Sequence, residues 1–370
     1  MGMKRSKPPF RADHVGSLLR PAPLKAAREK RAKGELAAAD LKAIEDREIE
    51  RAIKRQEEAG LQAVTDGEFR RSWWHLDFLW GLDGVERHVM DTGVAFAGVK
   101  TRNEGVRVTG KLGFSGHPMI EHFKFVQAHT GRVPKITIPA PSAIYGRPVM
   151  TPIDKTVYPE LDRFFADLGQ AYRKAVRAFA DAGCRYLQLD EVFIAMLCDP
   201  KYRQQMRDRG DDPEHLGEVY ADLINTAIAD IPPDMTITMH LCRGNYKSTY
   251  MGTGGYDAVQ EILFDKINVH GYFMEYDDPR SGGFEPLRML PKGKLVVLGI
   301  VTTKNGKLES KDELKRRIDE AAKYAPLEQL CISGQCGFAS TEEGNVLTED
   351  EQWAKLRRLV EVAGEVWGNA

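Results

Sequence analysis

What most constrains this chain is a regular alternation of two kinds of segment. Short apolar runs, rich in β-branched and aromatic residues, read as buried strands at Leu61–Thr65, Lys135–Pro139, Arg185–Leu189, Thr236–Leu241, Tyr272–Glu275, Leu295–Val301 and Leu330–Ser333. The segment His14–Val15–Gly16–Ser17 is an eighth candidate. Between them lie amphipathic stretches of helical length, Ala39–Ala59, Glu160–Ala182, Glu214–Ile231, Lys311–Tyr324 and Glu349–Trp367, with start signals at Asp40, Ser310 and Thr348. Near-continuous apolar strands need cover on both faces, so the alternation implies an α/β fold with a parallel sheet under helices. About eight such units favour a closed (β/α)8 TIM barrel over a doubly wound sheet, the second choice.

No internal repeat, low-complexity tract or Pro/Gly/Ser linker divides the sequence, so residues 1–370 are read as one domain. The stretch Asp91–Gly116 breaks the rhythm: it alternates apolar and polar residues and carries six glycines, and is read as a β-hairpin insertion.

The 53 basic and 54 acidic side chains nearly cancel, which leaves no global field to draw nucleic acid or an anionic membrane. No apolar run has signal-peptide or membrane-spanning length, so a cytoplasmic address and no membrane partner are expected. Five cysteines without regular spacing fit a reducing compartment, where a special cysteine is a ligand or nucleophile. The sequence leaves the oligomeric state open.

Polar residues of chemical type sit at or beyond the C-terminal ends of the expected strands: Ser17, Asp66, Glu68, Ser142, Asp190, Glu191, His240, Cys242, Glu275, Thr302, Thr303 and Cys336. In a parallel barrel those ends converge on one face, where active sites of the fold lie. Loops are polar in any protein, so the metal-type residues carry the argument. His240 and Cys242, two apart at a strand end, point to the same side and can chelate one ion. Cys336 lies in a glycine-flanked turn, and Glu275 ends an apolar run where a carboxylate is costly unless paired or bound to a cation. One His, two Cys and one Glu suit zinc. Cys184, Cys198 and Cys331 read as structural, although Cys331 with Cys336 is a rival pairing.

At these residues the sequence resembles the cobalamin-independent methionine synthase family, in its short form equivalent to the C-terminal catalytic barrel of the long enzymes. The resemblance runs from Asp13–His14–Val15–Gly16–Ser17 to the helix Trp353–Trp367 and is carried by Met239–His240–Leu241–Cys242–Arg243–Gly244–Asn245, Phe273–Met274–Glu275–Tyr276 and Gln335–Cys336–Gly337. It implies a zinc-dependent S-methyltransferase, with zinc on His240, Cys242, Glu275 and Cys336. It further implies that Val15, Gly16, Ser17, Glu68 and Asp190 hold the carboxylate and amine of homocysteine, Glu68 and Asp190 serving catalysis as well. The partners expected are therefore a homocysteine-like thiol and a small methyl donor.

The chain departs from the family at a His-Ser-Pro-Arg stretch whose histidine is thought to supply a proton; here Thr302–Thr303–Lys304–Asn305–Gly306 stands in its place. His14 and His270 are the nearby replacements by sequence. The long enzymes also carry an N-terminal barrel that helps cover folate, so efficient use of a polyglutamylated methylfolate is not expected. Trp73–Trp74 offers flat surfaces for a ring or packs against the insertion. The alternative activity is alkyl transfer to another thiol, of coenzyme-M type, from an epoxide or a corrinoid; a metal-dependent hydrolase is disfavoured by two cysteine ligands.

Overall fold

The structure, a computed structural model, describes residues 3–370; Met1 and Gly2, the start of the expected domain, lie outside the described residues. In chain order the strands are β1 (Ala63–Val64), β2 (Asp83–Val89), β3 (Ala95–Phe96), β4 (Val99–Lys100), β5 (Glu104–Gly113), β6 (Val133–Pro134), β7 (Ile136–Pro139), β8 (Tyr186–Glu191), β9 (Thr236–Leu241), β10 (Gly271–Glu275), β11 (Leu295–Val301) and β12 (Leu330–Gly334). Strands β7 to β12 form one parallel six-stranded sheet in chain order, and β1 pairs in parallel with β6. All seven residues of β11 are buried, as expected of a strand covered on both faces. The arrangement is the barrel type, consecutive parallel strands with helices outside.

Hydrogen bonds outside a regular ladder complete the circle. Residues 11–18 occupy the place of a first strand, but His14–Ser17 is not one, which corrects the eighth strand expected there. Ala12 makes a single bridge to Ile332 of β12, Leu18 N–H donates to Gly67 O at 3.0 Å, and Thr65 Oγ1 donates to Gly16 O at 2.7 Å. The physical reason lies at Gly16, whose φ of +141° departs from strand geometry and lets the backbone approach Thr137 so closely that a Cβ would sit 2.7 Å from its methyl group. Lys135, between β6 and β7, pairs with Asp13 at 3.2 Å with both side chains sealed from solvent. Its ammonium also donates to His14 O at 2.6 Å, and Asp13 accepts the Tyr186 hydroxyl at 2.8 Å. A fully bonded buried pair thus ties the first segment to the sheet where ladder bonds are missing.

Helices over Ala38–Glu58, Leu161–Asp181, Pro213–Ala227, Lys311–Ala321 and Glu349–Trp367 stand where amphipathic stretches were expected, the third ending at Ala227 instead of Ile231 and the fourth at Ala321 instead of Tyr324. Ser310 caps its helix, and Thr348 does so in a capping box with Glu351. Asp40 sits in the first turn of a helix that begins at Ala38 and is not its cap. The alternation lapses after β9 and β10, where the connections hold only short turns of helix: Tyr256–Ala258 and Ile262–Lys266, then Pro279–Ser281 and Glu285–Met289.

The hairpin insertion is present but starts before residue 91. Strand β2 pairs antiparallel with β5, and β3 with β4 makes a smaller hairpin between them. The run Glu86–Arg87–His88 disguised β2, of which only Val85 is buried; Glu86 finds its partner across the ladder in Arg107, at 2.7 Å. No helix among the described residues is long and apolar enough to cross a membrane.

Candidate functional site

Strand register assembles the site. Asp190 of β8 lies beside His240 of β9, Glu275 ends β10 beside Gly299, Cys242 follows β9, and Cys336 lies in the turn after β12. His240, Cys242, Glu275 and Cys336 are all buried, and one ligand atom from each lies within 4.8 Å of the others. The sulfurs of Cys242 and Cys336 are 3.5 Å apart. Neither ring nitrogen of His240 has a hydrogen-bond partner, a rare condition for buried polar atoms and the one expected of a side chain that donates to an ion. Imidazole, two sulfurs and a carboxylate therefore fit a borderline-soft metal ion.

The surroundings favour anionic ligands. Glu275 Oε1 accepts Arg243 N–H at 3.0 Å and Oε2 pairs with Arg280 at 3.0 Å. Gly244 N–H points at Cys242 Sγ from 3.3 Å. The hydrogen bond from Cys242, which outweighs burial with help from His240, holds the Cys336 thiol well below the ordinary range, whereas the same bond pushes Cys242 up.

A cavity open to solvent is lined by Val15, Ser17, Glu68, Asp190, His240, Cys242 and Cys336. Seven residues expected at the site thus line one cavity. Gly16 and Glu275 do not line it: Gly16 contributes the backbone turn, and Glu275 is fully buried. Glu68 holds a positive φ of 61°. Its Oε1 accepts the Thr137 hydroxyl at 2.9 Å, while Oε2 has no partner. Burial raises its pKa against the pull of Arg71 and Arg20. Asp190 accepts Gln188 Nε2 at 2.7 Å, and burial pushes it up to about 7. Two carboxylates with spare acceptor capacity suit a bound ammonium. Ser17 Oγ accepts Ala339 N–H at 3.2 Å and explains the glycine after Cys336, since a Cβ on Gly337 would lie 1.9 Å from it.

Other polar residues at strand ends serve the scaffold. Asp66 accepts the Glu68 N–H at 2.8 Å; Ser142 donates to Glu191 at 2.6 Å, and Glu191 also accepts the N–H groups of Phe193 and Ile194. Thr303 is bonded to Gln335, and Thr302 N–H donates to Glu309. Cys331 packs with Val15, Phe273 and Val297 in an interior cluster, which removes its rival pairing with Cys336. Neither candidate proton source is placed to serve. His14 is buried away from the cavity, and burial beside Lys135 lowers it to about 4. His270 precedes β10, at the opposite end from Glu275, and its Nδ1 accepts Ile237 N–H.

Trp73 and Trp74 stand between the cavity and the insertion. Each lines the cavity, and Trp73 Nε1 donates to Glu104 of β5 at 2.8 Å, fixing the insertion to the rim. Val94, Phe96 and Thr101 of the insertion line the same cavity. Sequence reasoning missed Arg280, Arg147, His75 and Lys304. Lys304 stands in the turn that departs from the family, its ammonium held by Asn245 Oδ1 at 3.3 Å and Thr249 O at 3.2 Å. Asn245, inside the stretch after His240, and Lys304, inside the departing turn, both lie in segments that the sequence marks.

The family description "Cobalamin-independent synthase, Catalytic domain" matches residues 10–365. "Uncharacterized protein YxjH" of Bacillus subtilis strain 168 is 52% identical over 366 residues, covering 98% of this chain and 96% of that one. A "Methionine synthase" of Pyrococcus abyssi is 27% identical, with 96% and 94% covered. Among solved structures, the "Putative Vitamin-B12 Independent Methionine Synthase from Listeria monocytogenes" superposes with a TM-score of 0.78 at 41% identity, covering 99% of this chain and 100% of that chain.

Proposed function

This chain belongs to the cobalamin-independent synthase family, and on that premise we propose that it is a zinc-dependent thiol S-methyltransferase converting homocysteine to methionine. The observation that carries the reading is the convergence of His240, Cys242, Glu275 and Cys336 within 4.8 Å at a cavity that Ser17, Glu68 and Asp190 also line. When bound there, zinc would keep a substrate thiol ionised at neutral pH.

The remaining work falls to side chains and backbone. Glu68 and Asp190 offer acceptors to the ammonium of the amino acid, and its carboxylate is assigned to the Val15–Ser17 segment, of which Val15 and Ser17 line the cavity. Holding both ends of homocysteine aims its sulfur and converts a two-body encounter into an oriented one. Glu275 keeps Arg280 and the Arg243 N–H as partners, so its carboxylate remains bonded if its hold on an ion loosens. Phe96 and Met251 supply apolar cover that limits water. His14 and His270 do not line the cavity, and burial with the Arg147 charge keeps His75, which does, in its neutral form, so a donor that leaves without protonation, such as a methylated corrinoid or a sulfonium, suits this chain better than a methylfolate.

Elemental analysis of protein purified without added metal should find one zinc per chain, lost in a Cys242→Ala, Cys336→Ala double variant that keeps its circular dichroism. X-ray absorption at the zinc edge should then gain a sulfur neighbour on adding homocysteine. A sulfur gained only with a coenzyme-M-type thiol would move the assignment to the alternative acceptor, and zinc retained by the double variant would remove the site.

A further inference from the structure

One strong cation in the cavity wall lies outside the residues assigned above to the metal and the thiol. Arg147 follows the turn Pro141–Ile144 after β7, is 4% exposed and lines the cavity. Its backbone is pinned on both sides: Arg209 donates to Arg147 O at 3.0 Å, and the Tyr202 hydroxyl donates to Gly146 O. Its guanidinium, however, is nearly bare. Among the described residues no carboxylate pairs with it, and its one side-chain hydrogen bond is a weak contact of 3.9 Å to Met90 Sδ. Burial, the only influence acting on it, lowers it to about 10, so it stays charged at neutral pH.

The contrast with neighbouring buried arginines is informative. Arg20 donates to Leu18 O and Ala339 O, and Arg71 donates to Thr137 O and faces Glu68. Arg147 has no such satisfaction, and among the described residues it is the only lysine or arginine that lines the cavity. A buried charge without a partner is destabilising, and a ligand that supplies the counter-charge relieves it.

Its position separates it from the thiol's anchors. Arg147 lies against the base of the insertion, where a Cβ on Gly105 would be 3.6 Å from its Nη1. Beside it is His75, whose ring burial and the Arg147 charge keep neutral and which stacks on Trp74 with centroids 4.4 Å apart. The cations nearest Glu68 are instead Arg71 and Arg20.

We infer that Arg147 is a specificity-determining residue that pairs with an acidic group, carboxylate or phosphate, on the methyl donor at the insertion side of the cavity. The word donor rests on the methyl transfer proposed above; the anion site itself does not.

The test uses zinc-loaded protein and calorimetric titration with 4-aminobenzoate, phenyl phosphate and the neutral 4-aminobenzamide. Wild-type protein should bind at least one acid about tenfold or more tighter than the amide, and the stronger acid identifies the group preferred. Arg147→Met should abolish that preference, Arg147→Lys should keep part of it, and neither should change metal content. Because Arg147→Met deletes an unpaired buried charge, its melting temperature should stay level or rise, which a structural arginine would not allow. The inference is overturned if Arg147→Met keeps the preference, if none of the three probes binds, or if the same variant weakens homocysteine binding, which would assign Arg147 to the thiol's carboxylate. An acid preference that persists in a protein unable to bind homocysteine would overturn the proposed reaction and leave the anion site standing.

Discussion

Glu275 Oε2 lies 3.0 Å from the guanidinium of Arg280, and neither side chain is more than 7% exposed. Arg280 also pairs with Asp277 at 3.0 Å and with the more exposed Asp278 at 3.6 Å, so one buried cation serves three carboxylates. Removing one partner of such a pair leaves uncompensated charge, a loss of roughly 3–5 kcal/mol. Arg280→Met should therefore lower the stability of metal-free protein by that order, and added zinc should restore part of it by binding only the folded state. Denaturant melts with and without zinc test this. A variant as stable as wild type without metal would show that Arg280 is not what balances Glu275.

Asp190→Asn should weaken homocysteine binding by about tenfold to a hundredfold, the value of a charged hydrogen bond to an ammonium, and leave a simple alkyl thiol unaffected. Competition titrations with the two thiols would measure it. Equal losses for both would mean that Asp190 keeps the wall in shape and does not read the amine.

The same carboxyl makes stability depend on pH. Burial raises Asp190 from the ordinary aspartate value of 3.8 to about 7, so the folded state holds this proton more tightly than the unfolded one. Its contribution to stability is complete below about pH 4 and is lost as pH rises through about 7, falling by about 1.4 kcal/mol for each pH unit crossed. In metal-free protein, wild type should fall relative to Asp190→Asn across that window. Parallel curves for the two proteins between about pH 4 and about pH 7 would contradict it.

Lys135→Met should be among the most damaging single changes outside the cavity. It strands Asp13 without a cation in a region sealed from solvent and frees His14 O, for an expected loss of roughly 3–5 kcal/mol. Asp13→Asn with Lys135→Met should recover part of it. If the double variant is no more stable than the sum of the single ones, the pair does not act as a unit.

Strand and helix types were legible because side-chain periodicity is a local consequence of backbone geometry: β9 and β11 occupy the bounds read from Thr236–Leu241 and Leu295–Val301. The cluster of His240, Cys242, Glu275 and Cys336 was legible for a similar reason, since thiols and imidazole at strand ends are chemically conspicuous and the family resemblance supplied their order. Pairing across the fold was not. Whether Cys336 meets Cys242 or Cys331, whether Lys135 reaches Asp13, and whether Arg147 finds a carboxylate depend on which segments register side by side. A charged side chain has no fixed cost; burial and partners set it, and both arise only when the chain closes. Strand β2 escaped notice on the same ground, because the charges that kept it from standing out as an apolar run are balanced by β5 across a ladder that exists only in three dimensions.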